Sequence, residues 1–107
     1  MDNNSLIIYR KLTNPYVRFV RFADGMVWSD TAQALSRTTA WSASDVSLTA
    51  DNTYIGGTPV VIPTALPAGD YDMLFYDAAT PAASDEVVIG KRIGWNGNSL
   101  LGLPITL

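Results

Sequence analysis

Two carboxylates are the residues of this sequence best spaced for chemistry. Asp70 and Asp72 are two residues apart in a segment of strand-like alternation, so both side chains lie on one face. Such pairs serve as acid and base in glycosidases, and carboxylate oxygens also bind Ca²⁺. However, both follow a turn, where solvated aspartates are common, and no Asp-x-Asp-x-Asp-Gly loop occurs. We therefore predict neither a catalytic pair nor a metal site here.

Other catalytic chemistry lacks its usual residues. The 107 residues include no histidine and no cysteine, which removes the commonest general base and the thiolate nucleophile. No Gly-x-Ser-x-Gly motif occurs, and a Ser–Lys pair has only Lys11 and Lys91 to use. Gly56 and Gly57 are not followed by the Gly-Lys-Ser/Thr of a phosphate-binding loop. We expect a protein that is not an enzyme and holds no cofactor.

Length and composition indicate one globular domain. A chain with 48% hydrophobic and 16% charged residues is not of the disordered class. The net charge is −3 and no basic run exceeds two residues, so nucleic acid is not an expected partner. The first residues carry no basic region and no long apolar run, so we expect neither a signal peptide nor a membrane span.

The segment 66–77 organises the predicted fold. Pro67 and Gly69 indicate a turn, and a strand with clear alternation follows. One face of this strand is large and apolar, and we predict that it meets the core. Its members are Tyr71, Met73 and Phe75. The opposite face begins with the two aspartates and ends with Leu74 and Tyr76, so it should be covered at one end, by another segment or another subunit.

The predicted partner of this strand is the segment 86–95, in a long-looped antiparallel hairpin. Its core-facing residues by parity are Val87, Ile89, Ile93 and Trp95. Lys91 interrupts that row and two glycines weaken the strand, so we predict a bulge near Gly90 or Gly94.

The remaining sequence contains further strands and no convincing helix. The segment 16–22 is apolar on both faces and reads as a central strand, and Asp24-Gly25 predicts a type I′ hairpin turn into Met26-Val27-Trp28. Shorter strands are expected at 45–49 and 54–62. About seven short strands favour an antiparallel β-sandwich of immunoglobulin-like type, with a small closed barrel as the alternative. We expect Trp28 and Trp95 in the core, whereas Trp41 is either a core anchor or a ligand contact for carbohydrate.

The chain ends are the parts least easily fitted into one sandwich. We divide the chain into residues 1–15, an N-terminal arm or first strand; 16–98, the sandwich domain; and 99–107, an apolar strand or tail. An apolar end must dock on its own domain or on a partner. We also predict that Arg10 and Lys11 lie near a neighbour's Asp70 or Asp72. The predicted interface residues are Leu6, Ile7, Ile8, Tyr9, Arg10, Lys11, Leu74, Tyr76, Leu101, Leu103 and Ile105.

The order of elements resembles small all-β domains of tailed-bacteriophage virion proteins. The resemblance covers roughly residues 16–98 and is carried by turns and core aromatics. The matching segments are the hairpin 17–28, then 46–49, 62–63, 66–71 and 87–97. It implies a structural virion component in head decoration, neck, tail or fibre attachment, made in the bacterial host cytoplasm. Its implied partners are further copies and other virion proteins. The alternative is a virion-displayed module that binds carbohydrate or a host receptor.

Overall fold

The fold is built from antiparallel strands. The computed structural model describes residues 5–8, 12–37, 46–47 and 58–101. In chain order its strands are β1 (Ser5–Ile8), β2 (Pro15–Arg21), β3 (Val27–Ser29), β4 (Ala34–Ser36), β5 (Val46–Ser47), β6 (Thr58–Val61), β7 (Gly69–Asp77), β8 (Ile89–Trp95) and β9 (Leu100–Leu101). All of their pairings are antiparallel, and the described residues contain no helix. The predicted all-β antiparallel class is confirmed.

Two sheets account for these strands. The main sheet has the order β4-β3-β2-β7-β8-β9, and β5 pairs with the beginning of β2 at Tyr16 and Val17. The small sheet consists of β1 and β6. Among the described strands, β4 and β9 do not pair, so the main sheet is not closed into a barrel. The architecture is therefore sandwich-like, and the barrel alternative is wrong.

The core lies against one face of the main sheet. Tyr71, Met73 and Phe75 of β7 have no exposed surface, which confirms the predicted orientation of this strand. The main sheet also contributes Val17, Phe19, Trp28, Ile93, Trp95 and Leu100 to the same cluster. Val60 of β6 and the following Ile62 and Leu66 pack on them from the other side. β6 and the segment that follows it thus contribute to the second layer.

Two hydrogen bonds fix this second layer on the main sheet. The Trp95 indole Nε1–H donates to the carbonyl of Leu66 at 2.8 Å, and the Tyr71 hydroxyl donates to the carbonyl of Pro67 at 2.7 Å. Burial raises the pKa of the Tyr71 hydroxyl, so it remains a donor. Trp28 and Trp95 are both buried, as predicted for them.

The hairpin between β2 and β3 differs from its prediction. A type I′ turn needs a positive φ at both central residues, but Gly25 alone has one, at 73°, and Asp24 does not. The Arg21 amide donates to the carbonyl of Met26, so residues 22–25 form a four-residue loop. The Asp24 carboxylate accepts the Met26 N–H at 3.1 Å, and this side-chain bond favours the longer loop.

The strand β8 corrects two further predictions. Val87 is 48% exposed and precedes the strand, so it is not a core residue. The pairing of β8 with β7 runs without interruption from Gly69↔Trp95 to Phe75↔Ile89, so there is no bulge at Gly90 or Gly94. The irregularity lies one step earlier, where the Val88 N–H donates to the carbonyl of Phe75, the residue that pairs with Ile89.

Candidate interaction surface

The face of the main sheet opposite the core is called the outer face here. It carries the residues that alternate with the core set on β2, β7 and β8. Its two ends differ. We call the end around Tyr16 and Tyr76 the covered end, and the end around Phe22, Arg92 and Leu101 the open end.

The covered end is buried by its own chain. Tyr16 and Tyr76 pair across β2 and β7, and their rings stack with centroids 4.8 Å apart and planes at 13°. They are 1% and 3% exposed although they lie on the outer face. The Tyr16 hydroxyl donates to the Asp85 carboxylate at 2.5 Å. The long loop between β7 and β8 is therefore attached to this end.

Asp85 holds this loop by two kinds of contact. Its carboxylate accepts the Tyr16 hydroxyl and also the Ala82 N–H at 2.9 Å, while its own N–H donates to the Ala82 carbonyl at 3.0 Å. These bonds favour the ionised carboxylate, so the Tyr16 hydroxyl, and after it the Ala82 N–H, lower the pKa of Asp85. One carboxylate thus closes the loop and fixes it to the stacked tyrosines.

The open end is formed by two adjacent rows of residues. The first row crosses the sheet through Phe22, Asp70, Gly94 and Leu101. Its first link is the hydrogen bond that the Phe22 N–H donates to the Asp70 carbonyl at 2.8 Å. The second row, read across four strands, is Val27, Val20, Asp72 and Arg92. Phe22 is 57% and Leu101 is 53% exposed, so apolar surface remains on both sides of this end.

Arg92 is the central charge of the open end. Its guanidinium lies 3.8 Å from the centroid of the Phe22 ring, and its Nε donates to the Asp72 carboxylate at 2.9 Å. This carboxylate raises the pKa of Arg92, which therefore stays charged. The arrangement places an aromatic ring, a guanidinium and a carboxylate in contact on an exposed sheet face, which is a composition typical of protein interfaces.

Two glycines flank Arg92 on the outer face of β8. Gly94 faces Leu101, and a Cβ atom added at Gly94 would lie 3.3 Å from the Leu101 Cβ. The Leu101 side chain thus packs directly over the backbone of β8. Gly90 lies two residues from Arg92 on the same face, and a Cβ atom added there would make ordinary contact with the Leu74 side chain, at 3.8 Å. The two glycines beside Arg92 therefore differ, because Gly94 lies under Leu101 and Gly90 is exposed.

The predicted interface residues fall into three groups. Leu6, Ile7 and Ile8 belong to β1, which pairs with β6 of the same chain through Val60, Pro59 and Thr58. Residues 5–8 of the predicted arm or first strand thus form a strand. Leu101 is exposed, Leu74 is half-buried, and Tyr76 is buried within the subunit, so its ring offers a partner almost no area. Tyr9, Arg10, Lys11, Trp41, Leu103 and Ile105 lie outside the described residues.

Sequence reasoning missed Phe22 and Arg92. The sequence predicted that Phe22 ends a strand that is apolar on both faces. In the structure it is the first residue of the hairpin loop. Arg92 read as one half of a basic pair. Gly90, Arg92 and Gly94 lie on the same face of the strand because they are two residues apart. A single charged side chain between two glycines was therefore a usable signal for Arg92.

The two candidate carboxylates have different surroundings. Asp72 forms an ion pair with Arg92, and Asp70 is exposed at the beginning of β7. Within the described ranges, no group of three or more acidic residues lies close enough to hold a metal ion. Nor does that part of the chain contain a helix long and apolar enough to span a membrane.

Comparisons of this chain with protein-family models, with curated proteins and with solved structures gave no match. The resemblance to phage virion domains therefore rests on the quoted sequence segments alone.

Proposed function

We propose that this protein is a non-enzymatic structural subunit of a tailed-phage virion that acts through contacts with further copies and with other virion proteins. The open end is the observation that supports subunit contacts. Two large apolar side chains, Phe22 and Leu101, are more than half exposed on the same face as the Arg92–Asp72 pair. A lone exposed apolar residue would need no explanation, whereas a group of this composition favours a partner.

The contrast within the outer face supports the same proposal. The loop between β7 and β8 contacts the buried tyrosines at one end, whereas Phe22 and Leu101 at the other end are more than half exposed. The Arg92 guanidinium over the Phe22 ring presents a flat surface that a partner's aromatic or acidic side chain can contact.

The phage part of the proposal, including the place in head, neck, tail or fibre, depends on the sequence resemblance. The alternative of a carbohydrate- or receptor-binding module depends on the tryptophans. Trp28 and Trp95 are buried, and a sugar platform requires exposed rings. Trp41 lies outside the described residues.

Sedimentation velocity over a concentration series, together with co-sedimentation with purified particles, tests the subunit contacts. We expect the unchanged protein to self-associate or bind particles, and the double variant Phe22→Ser/Leu101→Ser to lose that binding while keeping its circular dichroism spectrum. The matched control is Val61→Ser, because Val61 is also 57% exposed but lies on β6 of the small sheet. If the double variant assembles as well as the control, the open end is not the contact surface.

A further inference from the structure

The first row of the open end has the same kind of side chain at both of its ends. Across the sheet it reads Phe22, Asp70, Gly94 and Leu101, and its centre lies between β7 and β8. The side chains at the two ends are large, apolar and more than half exposed. A row of this kind can face a second copy of itself with apolar groups opposite each other.

The second row places opposite charges on either side of the same centre. Asp72 of β7 and Arg92 of β8 are register partners, and their side chains are 34% and 53% exposed. The Arg92 Nε donates to one carboxylate oxygen at 2.9 Å, and Nη2 lies 3.4 Å from the other. A guanidinium has five N–H donors, so this pair leaves donors of Arg92 for the carboxylate of a partner.

We propose, on the basis of the function proposed above, that the open end binds a second copy of this chain about a two-fold axis that runs along the strands between β7 and β8. Rotation about this axis exchanges the two strands. Phe22 then faces Leu101 of the second copy, and Asp72 faces Arg92 of the second copy. Each contact occurs twice, as in every interface between identical surfaces, and the facing strands stay nearly aligned, as in sheet-on-sheet packing.

The charges favour this axis over the other two-fold arrangement of facing sheets. An axis that runs across the strands, between the two rows, would place Asp70 against Asp72 of the second copy. Two facing carboxylates repel each other, so this arrangement is disfavoured. With the axis along the strands, Asp70 lies over Gly94 of the second copy and diagonally beside its Arg92. Each guanidinium then meets two carboxylates of the other copy.

The spacing of the two apolar side chains explains why they need a partner. Phe22 and Leu101 are separated by three strand spacings, roughly 14 Å, so neither can cover the other within one subunit. Across the proposed axis each covers its counterpart. The removal of these side chains from water favours association, and the charged pairs determine the orientation.

Two variants of opposite charge test the pairing. Asp72→Arg makes the centre of the second row basic, and Arg92→Asp makes it acidic. We expect each variant alone to self-associate at least about tenfold more weakly than the unchanged protein in sedimentation velocity, because like charges then face each other. An equimolar mixture should restore the dimer, since each chain supplies the charge that the other lacks. A mixture that associates no better than its components would overturn the proposal.

Glu86→Arg is the matched control. It makes the same change of charge as Asp72→Arg, but at an exposed position in the loop between β7 and β8. Self-association should be unchanged in this variant, and circular dichroism checks that all three variants are folded. If Glu86→Arg weakens self-association as much as Asp72→Arg does, net charge and not the facing pair controls association, and the proposed contact is wrong.

Cross-linking tests the axis without any change of charge. The chain contains no cysteine, so Phe22→Cys and Leu101→Cys each introduce a single thiol. A short thiol-specific cross-linker should join one variant to the other much faster than either variant to itself, because like positions lie about three strand spacings apart across this axis. Equal rates for the mixture and for the single variants would refute the axis.

A second copy can be excluded without excluding subunit contacts. The double variant Phe22→Ser/Leu101→Ser can lose its binding to particles while the charged variants neither weaken nor restore self-association. The open end would then contact a different protein. That result would overturn the proposed dimer and leave the proposed function in place.

Discussion

The two ends of the outer face belong to the same strands and yet have opposite surroundings. At the covered end, Tyr16 and Tyr76 are stacked and almost fully buried. At the open end, Phe22 projects from the end of β2 and remains more than half exposed. The difference shows that large aromatic side chains on one sheet face can be buried at one end and exposed at the other.

Loop length explains why the ends differ. The connection from β7 to β8 runs from Ala78 to Val88 and is long enough to fold back over the tyrosines, where Asp85 attaches it. The hairpin loop 22–25 has four residues held by Arg21 and Asp24, and a loop this short cannot cover a neighbouring strand. The long loop is therefore attached to the covered end through the Asp85 carboxylate.

The largest expected losses of stability come from variants that remove a buried aromatic ring. Phe75→Ala in the core and Tyr76→Ala at the covered end should each lower the free energy of unfolding by about 3–5 kcal/mol, because both remove a buried aromatic ring. Denaturant unfolding monitored by circular dichroism measures this. A cost near zero for Tyr76→Ala would mean that the loop does not cover this end in solution.

An intermediate effect concerns the attachment of the loop. Tyr16→Phe keeps the stacked ring but removes the hydroxyl that donates to Asp85, so we expect a smaller loss of stability than for Tyr76→Ala. The loss should depend on pH. The folded pKa of Asp85 lies below its usual 3.8, so the bond contributes fully above that value and is lost as the pH falls through the lowered pKa.

Unfolding curves at pH 7 and at several values below 4 test this dependence. We expect the acid-induced loss of stability to be smaller in Tyr16→Phe than in the unchanged protein. Asp24 provides the comparison at the open end. Its bonds to Arg21, and then to the Met26 N–H, lower its pKa to about 2, so its contribution is lost only at still lower pH and is unaffected by Tyr16→Phe. Identical acid profiles for both proteins would contradict the assigned role of Asp85.

The smallest expected effect on stability belongs to Phe22. Because its ring is largely exposed, Phe22→Ala should change the free energy of unfolding by less than about 1 kcal/mol. Its effect should appear in assembly, as a weaker association in sedimentation velocity. A large loss of stability would show instead that the ring is needed within the fold, and the two ends would then be less different than proposed.

The sequence alone determined the class of the fold and the orientation of its central strand. Alternation from Asp70 to Tyr76 assigned Tyr71, Met73 and Phe75 to the core, because a strand has no other way to place residues two apart. It also indicated that the outer face of β7 is covered at one end, since Leu74 and Tyr76 follow the two aspartates. Both conclusions follow from the alternation of side chains along a single strand.

Only the tertiary structure decided which residues lie on the surface at the ends of the strands. Val87 fits the core parity of β8 but precedes the strand, and Phe22 fits an apolar strand but begins a loop. The stacking of Tyr16 on Tyr76, the bond from Tyr16 to Asp85 and the contact of Arg92 with Phe22 join residues far apart in the chain. Periodicity assigns a side chain to a face, but strand register and loop path decide what lies over that face.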